Sequence, residues 1–322
     1  MNTKKYLLGL DLGGSKILVV LLDLKFRVLS EHKERMDISK GFSHFLSLLR
    51  ESISTVLLKA KVTQKQILTL GVGSAGLIHP KEGKILFSPN IPFLKNCSLK
   101  EKLQSEFKIP VVIENDVNAG LYGEFRLGAA KGFSHMAGIF MGTGVGGALI
   151  LDGKLYRGAF GGAGEIGHTW IHAPDDPKDF RGTVEGLAGR LAIASDASLL
   201  LLRHQSPALF KKVGYDVRKI KSSVLSESIH EGDKALENLL LQKAKIVGIA
   251  MANLVNLLNL EVIVLGGGLV EAMENLIVPT ATMTMKQYAL KPLAEKVKVI
   301  ASKLGDHAVA IGAAILALEK RK

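Results

Sequence analysis

Apolar and polar positions along this chain alternate on two scales. Residues 6–23 read YLLGLDLGGSKILVVLLD, two apolar runs parted by a glycine turn. Runs of that length, rich in Leu, Ile and Val, predict adjacent strands at residues 6–10 and 17–22 around LGGSK. Residues 136–152, MAGIFMGTGVGGALILD, repeat the arrangement about 130 residues later. Phe42, Phe45, Leu46, Leu49, Ile53, Val56 and Leu57 recur at helical spacing, which predicts an amphipathic helix over 42–59. Residues 67–72 read as a strand ending in GSAG, and 99–107 as a short helix. Pro110 opens the strand VVIEN, and a helix is expected over 117–127. The stretch 157–185 is loop-rich and glycine-rich, and 186–230 is mostly helical. A long apolar helix follows at 236–259, then a strand at 261–265 ending in Gly266, Gly267 and Gly268. Residues 297–301 read as the last strand and 307–318 as a closing helix, its alanines and Gly312 allowing close packing.

This order of strands and helices predicts an α/β protein of two domains. The expected boundary lies near residue 117, giving domains of 1–117 and 118–305, with a last helix at about 306–320 returning to the first. At 322 residues and 47% apolar content, the chain is long and apolar enough for substantial cores. The formal net charge is +12, but the basic residues are scattered, as in EHKER and KAKVTQK. With no basic run interleaved with aromatics, nucleic acid is not the expected partner. A basic solvated surface that draws in anionic substrates fits better. The first apolar run is broken by Asp11, so a signal peptide is not expected; nor is a membrane span, and the expected location is the cytoplasm. A single cysteine, Cys97, can form no intrachain disulfide and excludes a thiolate cluster for zinc.

The glycine turns carry the chemistry. Backbone N–H groups in such a turn approach a phosphate with no Cβ in the way. Two of them suggest related halves that clasp one phosphorylated ligand, as in a kinase or ATPase cleft between domains. Asp11 ends the first strand, where a carboxylate can hold Mg²⁺ directly or through water; Gly13, Gly14, Ser15 and Lys16 follow as candidate cofactor contacts, with Lys16 either adding charge to the phosphate site or pointing to solvent. The spacing fits neither a P-loop nor a dinucleotide fingerprint. In Glu114-Asn115-Asp116-Val117-Asn118, polar residues stand between a strand and a helix. One reading makes Asp or Asn there a helix cap. The other makes Asp116 a general base for a sugar hydroxyl and Asn115 a contact to a neighbouring hydroxyl. Glu165 and His168, in GEIGH, and Glu185 are suited to reading vicinal hydroxyls; His168 is otherwise a hydrogen-bonding core residue.

The pieces LDLGGSKI, GVGSAGLIHPKEG, SPNIPF, ENDVNAGLYGE, GTGVGGALILDGKLYRGAFGGAGEIGH and VIVLGGGL, in that order, resemble the ROK family of repressors, open reading frames and sugar kinases. The resemblance covers almost the whole chain. It implies a two-domain, actin-like (ribonuclease H-like) ATPase fold with an interdomain cleft, often a homodimer, using ATP and Mg²⁺. It implies that Asp116 is the catalytic base. Asn90, Asn115, Glu165, His168 and Glu185 then match the sugar-binding set. Asp11, Gly13, Gly14, Gly142, Thr143, Gly144 and Gly267 match the nucleotide and phosphate contacts. The expected activity is phosphorylation of a hexose, glucose to glucose 6-phosphate first. Fructose, mannose, N-acetylglucosamine and N-acetylmannosamine are alternative substrates, and a non-catalytic sugar sensor or a protein ATPase are alternative functions. Many members carry CxCGxxGCxE after GEIGH, binding zinc with the histidine. Here the stretch from Asp176 to Glu185 holds no cysteine, so no structural zinc site is expected and other packing must hold Glu185 and His168. Ser15 stands where threonine is usual and Ala75 where proline is common. With the first strand begun by Tyr6, no helix-turn-helix is expected ahead of it, and repressor function is not expected.

Overall fold

The computed structural model describes residues 5–79, 81–88, 90–173 and 179–321. They form an α/β fold of two units, each built on its own five-stranded sheet. The first unit takes the described residues up to Gly132, then Leu155–Ala163, then those from Asp306 onward. The second takes Phe133–Lys154 and Gly164–Gly305.

The first unit contains β1 (Tyr6–Leu12), β2 (Lys16–Asp23), β3 (Val28–Arg35), α1 (Gly41–Lys59) and β4 (Ile67–Ser74). It continues with β5 (Leu77–Ile78), β6 (Ile85–Phe87), α2 (Leu99–Phe107), β7 (Val111–Asn115) and α3 (Asp116–Arg126). The sheet order is β3-β2-β1-β4-β7. β1 pairs antiparallel with β2 through the first glycine turn, and parallel with β4, which pairs parallel with β7. β4 is buried along its whole length, as a central strand covered on both faces should be. Phe45, Leu49, Ile53 and Val56 of α1 are buried, the one-sided pattern that their helical spacing predicts.

The second unit contains β8 (Met136–Met141), β9 (Val145–Leu151), the first residue of β10 (Lys154–Tyr156, whose Leu155 and Tyr156 open the middle stretch of the first unit) and the helices α4 (Val184–Ala188), α5 (Arg190–Leu202), α6 (Pro207–Val213), α7 (Ser222–His230) and α8 (Lys234–Leu258). After these come β11 (Val262–Gly266), α9 (Gly268–Tyr288), α10 (Lys291–Ala294) and β12 (Lys298–Ala301). Its sheet order is β10-β9-β8-β11-β12, with β8 antiparallel to β9 and parallel to β11. Both sheets therefore carry an antiparallel hairpin followed by parallel strands in the same order, each with a glycine turn in its hairpin. Leu236, Leu240, Val247, Met251 and Val255 of α8 are buried with Ile277, Ala281 and Met285 of α9.

The closing helix α11 (Ala308–Glu319) belongs to the first unit. It is buried almost all round, because small residues on both sides let backbones approach. A Cβ at Gly312 would run into the Ala119 carbonyl of α3, and one at Gly9 into the Ala310 carbonyl. Tyr122 and Arg126 of α3 both bind the Glu319 carboxylate. This packing keeps α3 in the first unit, so the chain divides after Gly132 rather than near residue 117. Six elements lie beyond the expected set: the short β5, β6, β10 and α10, and the longer β3 and α9. β3 reads VLSEHKER, a half-exposed edge strand with no apolar run, and its charges are a strand's rather than a loop's. α9 carries Pro279 and a non-helical Met273, which break its pattern. Among the described residues no helix is long and apolar enough to cross a membrane.

Candidate functional site

In the first unit, three parallel strands end at one edge of the sheet. Asp11 of β1 lies opposite Gly73 of β4, Gly73 opposite Glu114 of β7, and Ser74 opposite Asn115. Helix α3 starts directly at Asp116, the place where open α/β sheets gather ligands. The cap is Asn115: its Oδ1 accepts the Asn118 N–H at 3.0 Å, while its amide donates to the Gly76 carbonyl at 3.2 Å. Capping therefore does not claim Asp116. The Asp116 carboxylate accepts the Val117 N–H at 2.9 Å, and burial pushes its pKa above the usual carboxylate range. Burial pushes Asp11 up to about 7, with the charge of Asp116 adding to the effect and that of Lys16 opposing it. The two carboxylates thus sense each other across the end of β4.

The first glycine turn is closed by the Gly13 N–H on the Lys16 carbonyl at 3.1 Å and held by the Met36 N–H on the Ser15 carbonyl at 2.9 Å. Asn90 lies against it; a Cβ on Gly14 would stand 3.3 Å from the Asn90 Cβ. Lys16 does not reach out of the turn. Its ammonium binds Asp306 at 3.1 Å, beside Lys33 at 2.5 Å on the same carboxylate.

Among the described residues no group of three His, Cys, Asp or Glu gathers as a metal cage. Asp11 and Asp116 nonetheless fit Mg²⁺, which binds through one or two carboxylates, keeps several waters and borrows phosphate oxygens. Burial raises the Asp11 pKa first and the charge of Asp116 second, and a divalent cation would offset both costs of ionising it.

In the second unit, the turn Gly142-Thr143-Gly144 joins β8 to β9. The Gly142 N–H donates to the Gly144 carbonyl at 2.9 Å. The start of α5 grips this turn: the Arg190 N–H donates to the Gly142 carbonyl at 3.1 Å, and the Arg190 guanidinium to the Thr143 hydroxyl at 3.1 Å. Glu185 accepts the Val145 N–H at 2.9 Å, and its carboxylate lies where a Cβ on Gly144 would go. Gly267 caps α9 with φ +86°, and a Cβ there would stand 2.6 Å from the Met141 carbonyl oxygen. The start of α9, a short segment ahead of its kink at Met273, thus packs beside the end of β8 that leads into the glycine turn.

Glu165 and His168 flank a short helical turn, with both side chains exposed. The His168 ring meets Phe180 edge-on, with centroids 5.2 Å apart. A Cβ on Gly167 would crowd the Val145 carbonyl and approach Glu185, so this loop, β9 and α4 form one packed group. The described part of the cysteine-free stretch, 179–185, is held by backbone bonds: Ile171 N–H to the Gly182 carbonyl at 2.9 Å and Val184 N–H to the Thr169 carbonyl at 3.0 Å. Thr183 caps α4 through the Gly186 N–H at 3.0 Å. Asp176 and the residues at 174–178 lie outside the described residues.

Sequence reasoning missed Arg190, Asp306 and the Glu114–Arg157 pair. Arg157 binds Glu114 at 2.7 and 2.8 Å and fixes the end of β7 just before the Asn115 cap. Only the Gly189-Arg190 break ahead of α5 signals Arg190 in the sequence.

The ROK family model matches residues 7–320. The chain belongs to the ROK family. Among its relatives is the xylose repressor of Caldicellulosiruptor bescii, 31% identical over 95% of this chain and 76% of that protein. The glucokinase of Streptomyces coelicolor is 29% identical over 97% of both. The crystal structure of a ROK family glucokinase from Streptomyces griseus, in complex with glucose and AMPPNP, matches with a TM-score of 0.85 and 28% identity, over 98% of this chain and 99% of that one. The two-sheet architecture of this ROK protein is thus that of a structure holding a sugar and an ATP analogue.

Proposed function

We propose that the protein phosphorylates a hexose with ATP, glucose at its 6-hydroxyl first. The observation that carries the reading is the carboxylate of Asp116, which stands at the start of α3 beside Asp11 and is not used as the helix cap. The hydroxyl oxygen forms a bond to the γ-phosphorus as the bond to the bridging oxygen of ADP breaks. Asp116 takes the hydroxyl proton, a task its raised pKa suits. Mg²⁺ would neutralise phosphate charge, and Asp11 would hold it directly or through water. The amides of both glycine turns would face phosphate oxygens. Residues of both units would serve the one transfer. Asn90, Asn115, Glu165, His168 and Glu185 would orient the sugar.

The glucokinase relatives and the glucose-bound glucokinase structure support glucose. A second reading has its own observation, the similarity to a xylose repressor: a sugar-responsive regulator without turnover. An ADP-release assay across glucose, fructose, mannose, xylose, N-acetylglucosamine and N-acetylmannosamine separates them. Glucose-dependent ADP release above all other sugars is expected. Turnover on a different hexose replaces the substrate, and no turnover on any sugar favours the regulator.

A further inference from the structure

The first unit holds a cavity of about 500 Å³, within the range of small-ligand sites. It lies toward the other ends of the strands that carry the carboxylates. Thr69 and Val111 line it near the starts of β4 and β7, and Lys320 lines it just past α11. Its charged lining residues are Lys81, Lys100, Lys320 and Arg321, all of one sign.

Two carboxylates beside its lining are already committed. Glu114 is bound by Arg157 at 2.7 Å, and Glu319 by Arg126 and Tyr122. Among the described residues Lys81, Lys100 and Lys320 form no ion pair. Desolvation lowers the pKa of the Lys320 ammonium; Glu114 opposes this, while Arg157 and Lys100 add to it. Positive charge is therefore gathered there with no carboxylate among the lining residues. One carboxylate would leave most of it unbalanced, whereas phosphate carries more charge and more acceptor oxygens.

We propose that this cavity binds a small phosphorylated anion, of pyrophosphate or sugar-phosphate size. The binding is independent of the kinase reading, because it is measured without turnover. The test is calorimetric titration of the full chain with inorganic pyrophosphate, free of magnesium, against Lys100→Gln/Lys320→Gln. The double variant is expected to bind at least about tenfold more weakly, with unchanged thermal melting. A control, Lys65→Gln/Lys95→Gln, removes the same charge from exposed positions elsewhere and is expected to bind as the wild type does. Equal affinity in wild type and the cavity variant would place the anion elsewhere, the glycine turns included, and overturn the proposal. Equal weakening in the control, or no binding by the wild type up to about 10 mM, would also overturn it. If the double variant fails to fold, Lys100→Gln alone is expected to weaken binding about threefold, and no weakening overturns the proposal.

Discussion

Asp11 and Asp116 are ordinary residues in an unusual place. Each ends or follows a strand at the same sheet edge, and burial pushes both pKa values up. For Asp11 the folded value is about 7 against 3.8 in the unfolded chain, so the folded state binds more protons between those values. Stability from this group is therefore lost as pH rises from about 4 through about 7. Asp11→Asn should flatten that slope and stabilise the magnesium-free protein at pH 8 by about 2–4 kcal/mol, read from denaturant melts. Asp116→Asn should lower kcat by about 10²–10⁴-fold while sugar affinity stays within about threefold, because it removes a proton acceptor and keeps the shape. Near-normal kcat on the true substrate would remove Asp116 from the base role. Both residues stand out in the sequence as carboxylates after apolar runs. That Asn115, and not Asp116, takes the cap could not be read there, since either side chain is chemically able to cap a helix.

At the scale of elements, the glycine turns are shaped by what grips them. Glu185 resembles a sugar contact of the family, and here its carboxylate also accepts the first N–H of β9. Glu185→Ala should therefore raise KM for both ATP and sugar, whereas His168→Ala should raise it for sugar alone; steady-state kinetics with each substrate varied separates the two. Helix α11 is tied in by close backbone contact. Gly312→Val drives methyl groups into the Ala119 carbonyl and should lower stability by about 1–3 kcal/mol, seen as a lower melting temperature. The strands β1, β2, β4, β7, β8 and β11 were legible because buried strands need unbroken apolar runs. β3 was not, because an edge strand is free to be polar, and α9 was not, because Pro279 and the kink at Met273 interrupt its period.

Over the whole molecule, the net charge of +12 favours anionic ligands. Raising salt from about 50 to about 500 mM should weaken adenine-nucleotide binding about 3- to 10-fold and leave glucose binding unchanged; equal effects on both would deny the field a role. The sequence alone determined that the chain is α/β, that two glycine hairpins recur, that Asp116 follows a strand, and which family it resembles. These are local matters of apolar period, glycine spacing and order along the chain. Tertiary structure decided that the Asn115 amide is tied to the Gly76 carbonyl, that Lys16 pairs with Asp306, that Arg190 and Glu185 hold the second turn, and that the first stretch of the first unit runs to Gly132. The Lys16, Arg190, Glu185 and Asn115–Gly76 bonds depend on atoms brought together from positions far apart in sequence. Such encounters are set by packing and hydrogen-bond satisfaction, which residue order alone does not reveal.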